Sequence, residues 1–371
     1  MILHLIPDSV FTDFVINKFN HLDANNHKFL ILSNTDKLIY TKSENVDIIN
    51  EKSLLTKDFL QYLKNFSYIV VHSMFSKYVK KMILKSENDF KFVWIGWGGD
   101  YYETVAELKK NLYDLKTVKL MQPSLQEKLK RLIKKFIPYL GIDMALIYKR
   151  IEYFAPVIYD EYDLLEKLFK PIHTKYLPFS YGQLENDFLK GIENLNITSN
   201  NILLGNSASY TNNHLSILHL LAGLDLKDRK IITPLSYGDE KYKKIILNYG
   251  KELLYSNFYP QIDFLEKHEY HKLIASCSIC IMNHKRQQSM GNIISMIYLG
   301  SKLFLNKENI VYKFLKREGA IVYSIDEINN DSLNSSLTSN EIQINREILK
   351  KNWSEDSVNQ KYREFIRILT S

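Results

Sequence analysis

The chain has 371 residues, 45% hydrophobic and 13% aromatic, which is enough apolar material for two cored domains. A formal charge of +7 suits an anionic partner but does not choose among nucleic acid, nucleotide and membrane. Two cysteines exclude a disulfide scaffold and a four-thiolate zinc site, and point to a reducing compartment.

Met1-Ile-Leu-His-Leu-Ile-Pro7 has no positive segment ahead of it and reads as a first strand, not a signal peptide. Short apolar runs then recur at Ile2–Ile6, Lys28–Leu32, Tyr68–His72 and Lys91–Gly96, with helical patterns between them, as in Phe11–Asn20 and Ser76–Lys85. That alternation predicts a parallel sheet flanked by helices. His4 and His72 fall in the first and third of these strands, where an imidazole can serve as base or ligand donor, or as a satisfied structural group.

After the fourth strand comes Trp94-Ile-Gly-Trp-Gly-Gly-Asp100-Tyr-Tyr-Glu103. Gly98 and Gly99 allow close backbone approach, and Asp100 or Glu103 would take a proton from an attacking hydroxyl. The plainer reading makes Asp100 a helix cap. At Ser124–Tyr139, Leu125, Leu129, Leu132, Ile133, Phe136 and Ile137 form one helical stripe. The cations Lys128, Lys130, Arg131, Lys134 and Lys135 cover the other face. A basic amphipathic helix of this kind predicts contact with an anionic membrane surface. Apolar and aromatic residues continue through Ile142–Ile158 as a wider apolar surface. No apolar run reaches the ~18 residues of a membrane span, so the expected location is cytosolic or peripheral.

Periodicity breaks near Tyr176–Asn200, the expected join. Strand-like runs resume at Asn201–Gly205, Lys230–Pro234, Ser278–Met282, Lys302–Leu305 and Ala320–Ser324, with helices at Asn213–Leu221 and Glu240–Gly250. Cys277 and Cys280 lie in the third run and read as core, not redox, residues. A Ser/Asn-rich loop at Asn329–Asn340 leads to a helical tail at Glu341–Thr370. The whole predicts two doubly wound domains facing across a cleft: 1–185, 195–345, and a C-terminal helix at 346–371 packing back on the first. Ligands of such sheets bind outside the strand C-termini.

Three loops in the second half follow strands. Gly205, Asn206 and Ser207 offer backbone and hydroxyl donors to phosphate, or simply cap the next helix. Pro234, Tyr237 and Gly238 form a turn whose tyrosine can stack on a base. Arg286, Gln287 and Gln288 precede a helix start at Gly291–Asn292, where unpaired N–H groups attract an anion. Asn306 and Glu308 follow the next strand, where a carboxylate can accept from sugar hydroxyls. With no Asp-x-Asp pair and no metal-ligand spacing, the expectation is a nucleotide-linked ligand held without metal or cofactor.

The blocks WGGDYYE (97–103), LLGNSASYTNNHL (203–215), Pro-x-x-Tyr-Gly (234–238), RQQSMGN (286–292) and LNKEN (305–309), in that order, resemble the TDP-N-acetylfucosamine:lipid II N-acetylfucosaminyltransferases of glycosyltransferase family 56. The resemblance spans roughly residues 1–325. Where the family tends to carry a glycine after its Gln-Gln pair, this chain has Ser289-Met290. It implies a GT-B architecture with an acceptor domain first and a nucleotide-sugar domain second. It implies transfer of 4-acetamido-4,6-dideoxygalactose (Fuc4NAc) from a TDP-sugar to a polyprenyl-diphosphate-linked saccharide of enterobacterial common antigen or O-antigen. The expected location is then peripheral, on the cytoplasmic face of the bacterial inner membrane, with no nucleic acid partner. The rival readings are another nucleotide-sugar enzyme, such as an epimerase or a transferase with a different donor, and a non-catalytic nucleotide- or anion-binding protein.

Overall fold

The computed structural model describes residues 1–35, 37–44, 46–121, 143–170 and 173–371. The chain divides into two compact units. Unit 1 is Met1–Leu108, Pro138–Gln183 and Trp353–Ser371; unit 2 is Lys109–Ile137 and Leu184–Asn352. The division differs from the expected 1–185, 195–345 and 346–371 in two places. Residues 109–121 belong to unit 2, because the Asn213 side chain accepts from Asp114 N–H at 3.0 Å and donates to Leu112 O at 3.1 Å. The last crossing falls at Asn352/Trp353 rather than at 346.

Unit 1 holds seven strands among the described residues: β1 (Ile2–Pro7), β2 (His27–Leu32), β3 (Asp47–Ile49), β4 (Tyr68–His72), β5 (Phe92–Ile95), β6 (Ile151–Ala155) and β7 (Lys175–Tyr176). All pair in parallel, in the order β3-β2-β1-β4-β5-β6-β7. Strands with both faces covered read as continuous apolar runs, which is why β1, β4 and β5 are visible in sequence. β6 sits inside the sheet, so Phe154 and Ala155 are core, and the expected apolar surface over this part of 142–158 is a buried strand. The helix Thr12–Asp23 covers one face, together with the final helix Glu355–Thr370. Val358, Tyr362, Phe365 and Leu369 of the latter pack with Ile16, Phe19, Phe29 and Phe179.

Unit 2 carries a six-stranded parallel sheet among the described residues: β8 (Asn201–Leu204), β9 (Ile231–Pro234), β10 (Phe258–Gln261), β11 (Cys277–Met282), β12 (Lys302–Leu305) and β13 (Tyr323–Ser324). Its order is β10-β9-β8-β11-β12-β13. The reversal of winding at β8 and β11 is a topological switch point, where the following loops diverge and leave room for a ligand. Cys277 and Cys280 are buried free thiols; burial pushes Cys277 up to about 12 and Cys280 higher still, so both are inert core groups. Among the described residues no helix is long and apolar enough to cross a membrane.

Phe365→Ala removes a fully buried ring between the last helix and the first sheet. It should lower unfolding free energy by about 3–5 kcal/mol in a denaturant titration; a loss below about 1 kcal/mol would show that this helix is not part of the core.

Candidate functional site

The unit 2 loops are held by side-chain amides. Gly205 leaves β8 with φ +69°, and a Cβ there would lie 2.4 Å from His214 Nε2 and 2.7 Å from Asn212 Oδ1. The following backbone is pinned by Asn212, whose Oδ1 accepts from Asn206 N–H at 3.0 Å and whose Nδ2 donates to Ser207 O at 2.9 Å. His284 Nε2 lies 2.7 Å from the same Asn212 oxygen and 3.1 Å from Asn206 Oδ1. Both partners are carbonyl oxygens, so His284 carries its proton on Nε2. Burial, then Arg286, then His214 hold it well below the ordinary imidazole value, and burial brings His214 to about 3. Both rings are neutral at physiological pH.

Gln288 closes this network. Its Nε2 donates to Asn206 Oδ1 at 2.9 Å and its Oε1 accepts from Thr211 at 2.8 Å. One N–H and the carbonyl oxygen of that amide are therefore used in loop positioning, where a donor to the diphosphate was expected. Ser207 is also buried, with its carbonyl and hydroxyl turned to Asn212, so it is structural. Gln287 is buried and accepts from Arg286 on its carbonyl at 3.0 Å, while Arg286 is half-buried beside it.

The loop after β9 is zipped to the loop after β8. Ala208 N–H donates to Tyr237 O at 2.8 Å, and Asp239 N–H donates to Ala208 O at 2.8 Å. Gly238 has φ +124°, and a Cβ would sit 2.6 Å from the Ala208 carbonyl, so only glycine permits this approach. Asn206 Nδ2 then reaches Tyr237 OH at 3.0 Å.

Beside this junction lies a cavity of about 290 Å³ lined by Asn206, Pro234, Ser236, Tyr237, Gln261, Asp263, Phe264, Leu265, Lys267, Tyr270 and Asn292. It gathers four residues expected from sequence: Asn206, Pro234, Tyr237 and Asn292. The segment 261–270 is its other wall and was missed, because no glycine or apolar period marks it. Phe264 is 82% exposed and Tyr237 60% exposed, two aromatic faces that a planar ring can cover. The adjoining helix starts at Met290 after Ser289 at φ +60°, one residue earlier than expected, with Gly291 and Asn292 in its first turn. Asn292 Nδ2 donates to Tyr270 OH at 2.8 Å, and Gly291 has only Phe188 near its Cα, at 4.0 Å from an added Cβ.

Asn306 and Glu308 lie elsewhere. They line a second cavity of about 350 Å³ with Asn283, Lys285 and Asp114, and Glu308 pairs with Lys285 at 3.0 Å. Asn306 donates to Asn283 Oδ1 at 2.8 Å and accepts from Glu308 N–H at 2.9 Å. Asn306 and Glu308 thus line a different cavity from Tyr237.

In unit 1, Asp100 is fully buried. Its Oδ2 accepts from Met74 N–H and Trp94 Nε1–H, both at 2.9 Å, and its Oδ1 from Trp97 N–H at 2.9 Å. Burial pushes it up to about 6 against the pull of those bonds. It ties the loop after β5 to the loop after β4, so the residue expected as base is held as a clamp by three N–H donors. Gly98, at φ +77°, precedes the short helix Gly99–Tyr102, and Phe75 lies 3.0 Å from a Cβ built on Gly99. Glu103 is exposed at the end of that helix. His72 and His4 are buried and linked at 3.0 Å, and burial brings His72 to about 3. Trp97 and Tyr181, which sequence reasoning did not single out as a pair, stand above His72: Trp97 Nε1–H donates to Tyr181 OH, which lies 3.4 Å from His72 Nδ1. The cations Lys128, Arg131, Lys134 and Lys135 lie outside the described residues. Among those described, no group of three or more His, Cys, Asp or Glu is arranged to hold a metal ion.

Residues 167–351 match the family described as 4-alpha-L-fucosyltransferase, glycosyl transferase group 56. Solved structures with a similar fold include a lipopolysaccharide outer core galactosyltransferase (TM-score 0.60, 10% identity, covering 99% of each chain). Another is the Anabaena protein HepE in complex with UDP and glucose (0.60, 10%, 99% of this chain and 100% of that one). A third is sucrose-phosphate synthase from Thermosynechococcus elongatus (0.59, 12%, 100% and 99%). The two parallel-sheet units and these neighbours make the fold GT-B.

Two substitutions test the site. Asp100→Asn keeps the shape but turns an NH2 toward N–H donors, and should cost about 1–3 kcal/mol of stability at pH 7. Because burial raises Asp100 in the folded state, its titration favours folding as pH falls from about 6 toward about 4. The variant should lose that slope in pH-dependent melts. An Asn variant as stable as the parent but without turnover would restore Asp100 as the base. Gly238→Ala should force the two loops apart, costing about 1–3 kcal/mol and the donor affinity with it; unchanged melting and binding would refute the zipped junction.

Proposed function

We infer from the membership of this chain in glycosyltransferase group 56, carried by residues 167–351, that it is a GT-B transferase whose donor is a TDP-sugar. In the finer reading it moves 4-acetamido-4,6-dideoxygalactose to a polyprenyl-diphosphate-linked saccharide at the cytoplasmic face of the inner membrane. The observation that carries the donor half is the cavity between Tyr237 and Phe264, which opens beside the first turn of the helix Met290–Leu299. A nucleobase would lie against the aromatic faces. Its diphosphate would meet the N–H groups of Gly291 and Asn292, with Arg286 on the preceding loop.

The sugar–phosphate bond breaks with charge gathering on the leaving diphosphate. Fixed donors and cations aimed at that charge lower the barrier without reorganising. Arg286 and the helix start supply this in our reading; a metal is not needed for it. The acceptor would be taken by unit 1. Val10, Phe11, Ile39, Tyr40 and Phe75 are exposed on the loops that follow β1, β2 and β4, an apolar rim at the C-terminal edge of that sheet. Asp8 holds the 39–41 part of this rim through the N–H groups of Ile39, Tyr40 and Thr41. Such a rim supports an acceptor that carries a lipid, and the cationic stripe of 124–139 supports an anionic membrane.

The test is incubation with TDP-, UDP- and GDP-sugars and bacterial lipid extract, following which diphosphate is released. TDP release that depends on lipid is expected; release of an epimer or of free sugar instead would overturn the reading. In the same assay Tyr237→Ala should raise the donor KM about tenfold, equivalent to ~1.4 kcal/mol of lost stacking, with kcat little changed.

A further inference from the structure

The loop that follows β2 spends its amides on the body of unit 1 and shows apolar side chains to solvent. Five successive N–H groups, from Ile39 to Ser43, end on two carboxylates. Asp8 accepts from Ile39 at 2.6 Å, from Tyr40 at 3.1 Å and from Thr41 at 2.8 Å. Asp13 accepts from Lys42 and Ser43, both at 3.0 Å. The Thr41 and Ser43 hydroxyls add bonds of 2.8 and 2.7 Å to the same two carboxylates. Asp8 directly follows β1, and Asp13 lies in the first turn of the helix Thr12–Asp23, so both anchors are fixed. Leu38 and Val46 pack the base of the loop against the first core. Partial burial alone would raise Asp8, but the bonds from Ile39, Thr41 and Tyr40 hold it below its ordinary value, so it is an ionised acceptor at neutral pH.

At the tip of this loop Ile39 is 78% exposed and Tyr40 50% exposed. Lys37 and Lys42 flank them, both exposed and neither in an ion pair among the described residues. Glu44 is the exposed acid that follows. Val10 and Phe11, on the loop that carries Asp8, are exposed as well, and so is Phe75 after β4. β2, β1 and β4 are neighbours in the sheet, so these loops border one another at its C-terminal edge. The patch is therefore an apolar tip held rigidly, with a free cation on either side of it.

We propose that the loop 37–44 docks this protein on an anionic bilayer, with Ile39 and Tyr40 entering the boundary between headgroups and acyl chains and Lys37 and Lys42 meeting lipid phosphates. An unpaired N–H carried toward lipid costs several kcal/mol, so a segment that enters must satisfy its donors from within the protein. Here the N–H groups of residues 39–43 are bonded before any membrane is met. At the shallow depth of an interfacial element, water still reaches the carbonyls. Tyrosine suits that boundary, with its ring in the apolar layer and its hydroxyl in the wet one. Each lysine near an anionic surface adds about 1 kcal/mol. The same bonding argues against a protein that would add a strand here, because no N–H from 39 to 43 is left for backbone pairing.

This deepens the acceptor half of the reading given above and rests on it for its purpose: a bilayer held at this edge of the first sheet brings a lipid-linked acceptor to the neighbouring loops. The surface is separate in sequence from the cationic stripe of 124–139. Docking needs no substrate, so it and the transferase reading can fail independently.

The test uses the full chain and phosphatidylcholine vesicles, with or without about one third phosphatidylglycerol and free of polyprenyl lipid. Ile39→Cys is labelled with an environment-sensitive fluorophore; Cys277 and Cys280 are buried and stay unlabelled. Its emission should shift to the blue on the anionic vesicles and be quenched by nitroxide lipids. A label at Asn25→Cys, just ahead of β2 at the other end of the strand, should not respond. Ile39→Ser/Tyr40→Ser should melt like the parent and lower the vesicle partition coefficient about tenfold. Lys37→Ala/Lys42→Ala should weaken binding to the anionic vesicles about tenfold and leave binding to the neutral ones in place. A fluorophore at 39 that stays in water on vesicle-bound protein would put the contact elsewhere and overturn the proposal. So would a serine double variant that binds like the parent, or a parent that binds no vesicle. Binding that appears only when polyprenyl diphosphate is added would make the loop a seat for the acceptor's own chain, and a solution dimer abolished by Ile39→Ser/Tyr40→Ser would make the occupant a second copy; either result overturns it. Docking without lipid-dependent release of TDP would sink the transferase reading and leave the role of the loop intact.

Discussion

Parallel strands end in unpaired backbone groups, and this protein spends asparagine side chains on them. A buried N–H or C=O left without a partner costs about 1–3 kcal/mol, so loops at the mouth of a parallel sheet must find donors and acceptors locally. Asn212 serves Asn206 and Ser207; Asn213 serves Leu112, Thr211 and Asn283; Asn309 serves His284 and Arg286 while capping the helix that follows. Every loop at the β8 and β11 switch point is tied to at least one other by such an amide. The pocket therefore has walls that are set before any ligand arrives, and preorganised walls hold a leaving group without further ordering.

The same logic explains which sequence expectations hold and which do not. β4 and β12 match their apolar runs because both faces of these strands are covered. β7 and β13 have two residues each and leave almost no period to read; β10 contains Pro260 and an exposed Tyr259, so it resembles a loop. Gly205 and Gly238 were legible as glycines that permit a turn, but their reason was not. One avoids His214 in the helix that follows, the other avoids the Ala208 carbonyl of a different loop, and both approaches exist only after folding.

Polar residues were harder. Asp100 and Gln288 stand where a catalytic carboxylate and a phosphate donor belong, and composition alone cannot tell an offered oxygen from one already bonded. Three N–H donors converge on Asp100 from Met74, Trp94 and Trp97, and that convergence exists only after folding. His4 and His72 are separated by 68 positions, so their contact is a product of strand register. The wall at 261–270 was invisible because it is built from ordinary surface residues.

The return of the chain at Trp353 to complete unit 1 has a consequence for biosynthesis. Residues 355–370 cover Phe19, Phe29 and Phe179, yet they are translated after every strand of the other unit. The first sheet thus keeps part of one apolar side bare until every strand of the other unit has been made. Holdase chaperones that bind exposed aromatic patches have that whole interval in which to act, and the order of gene-encoded segments, not only their chemistry, governs how this protein matures.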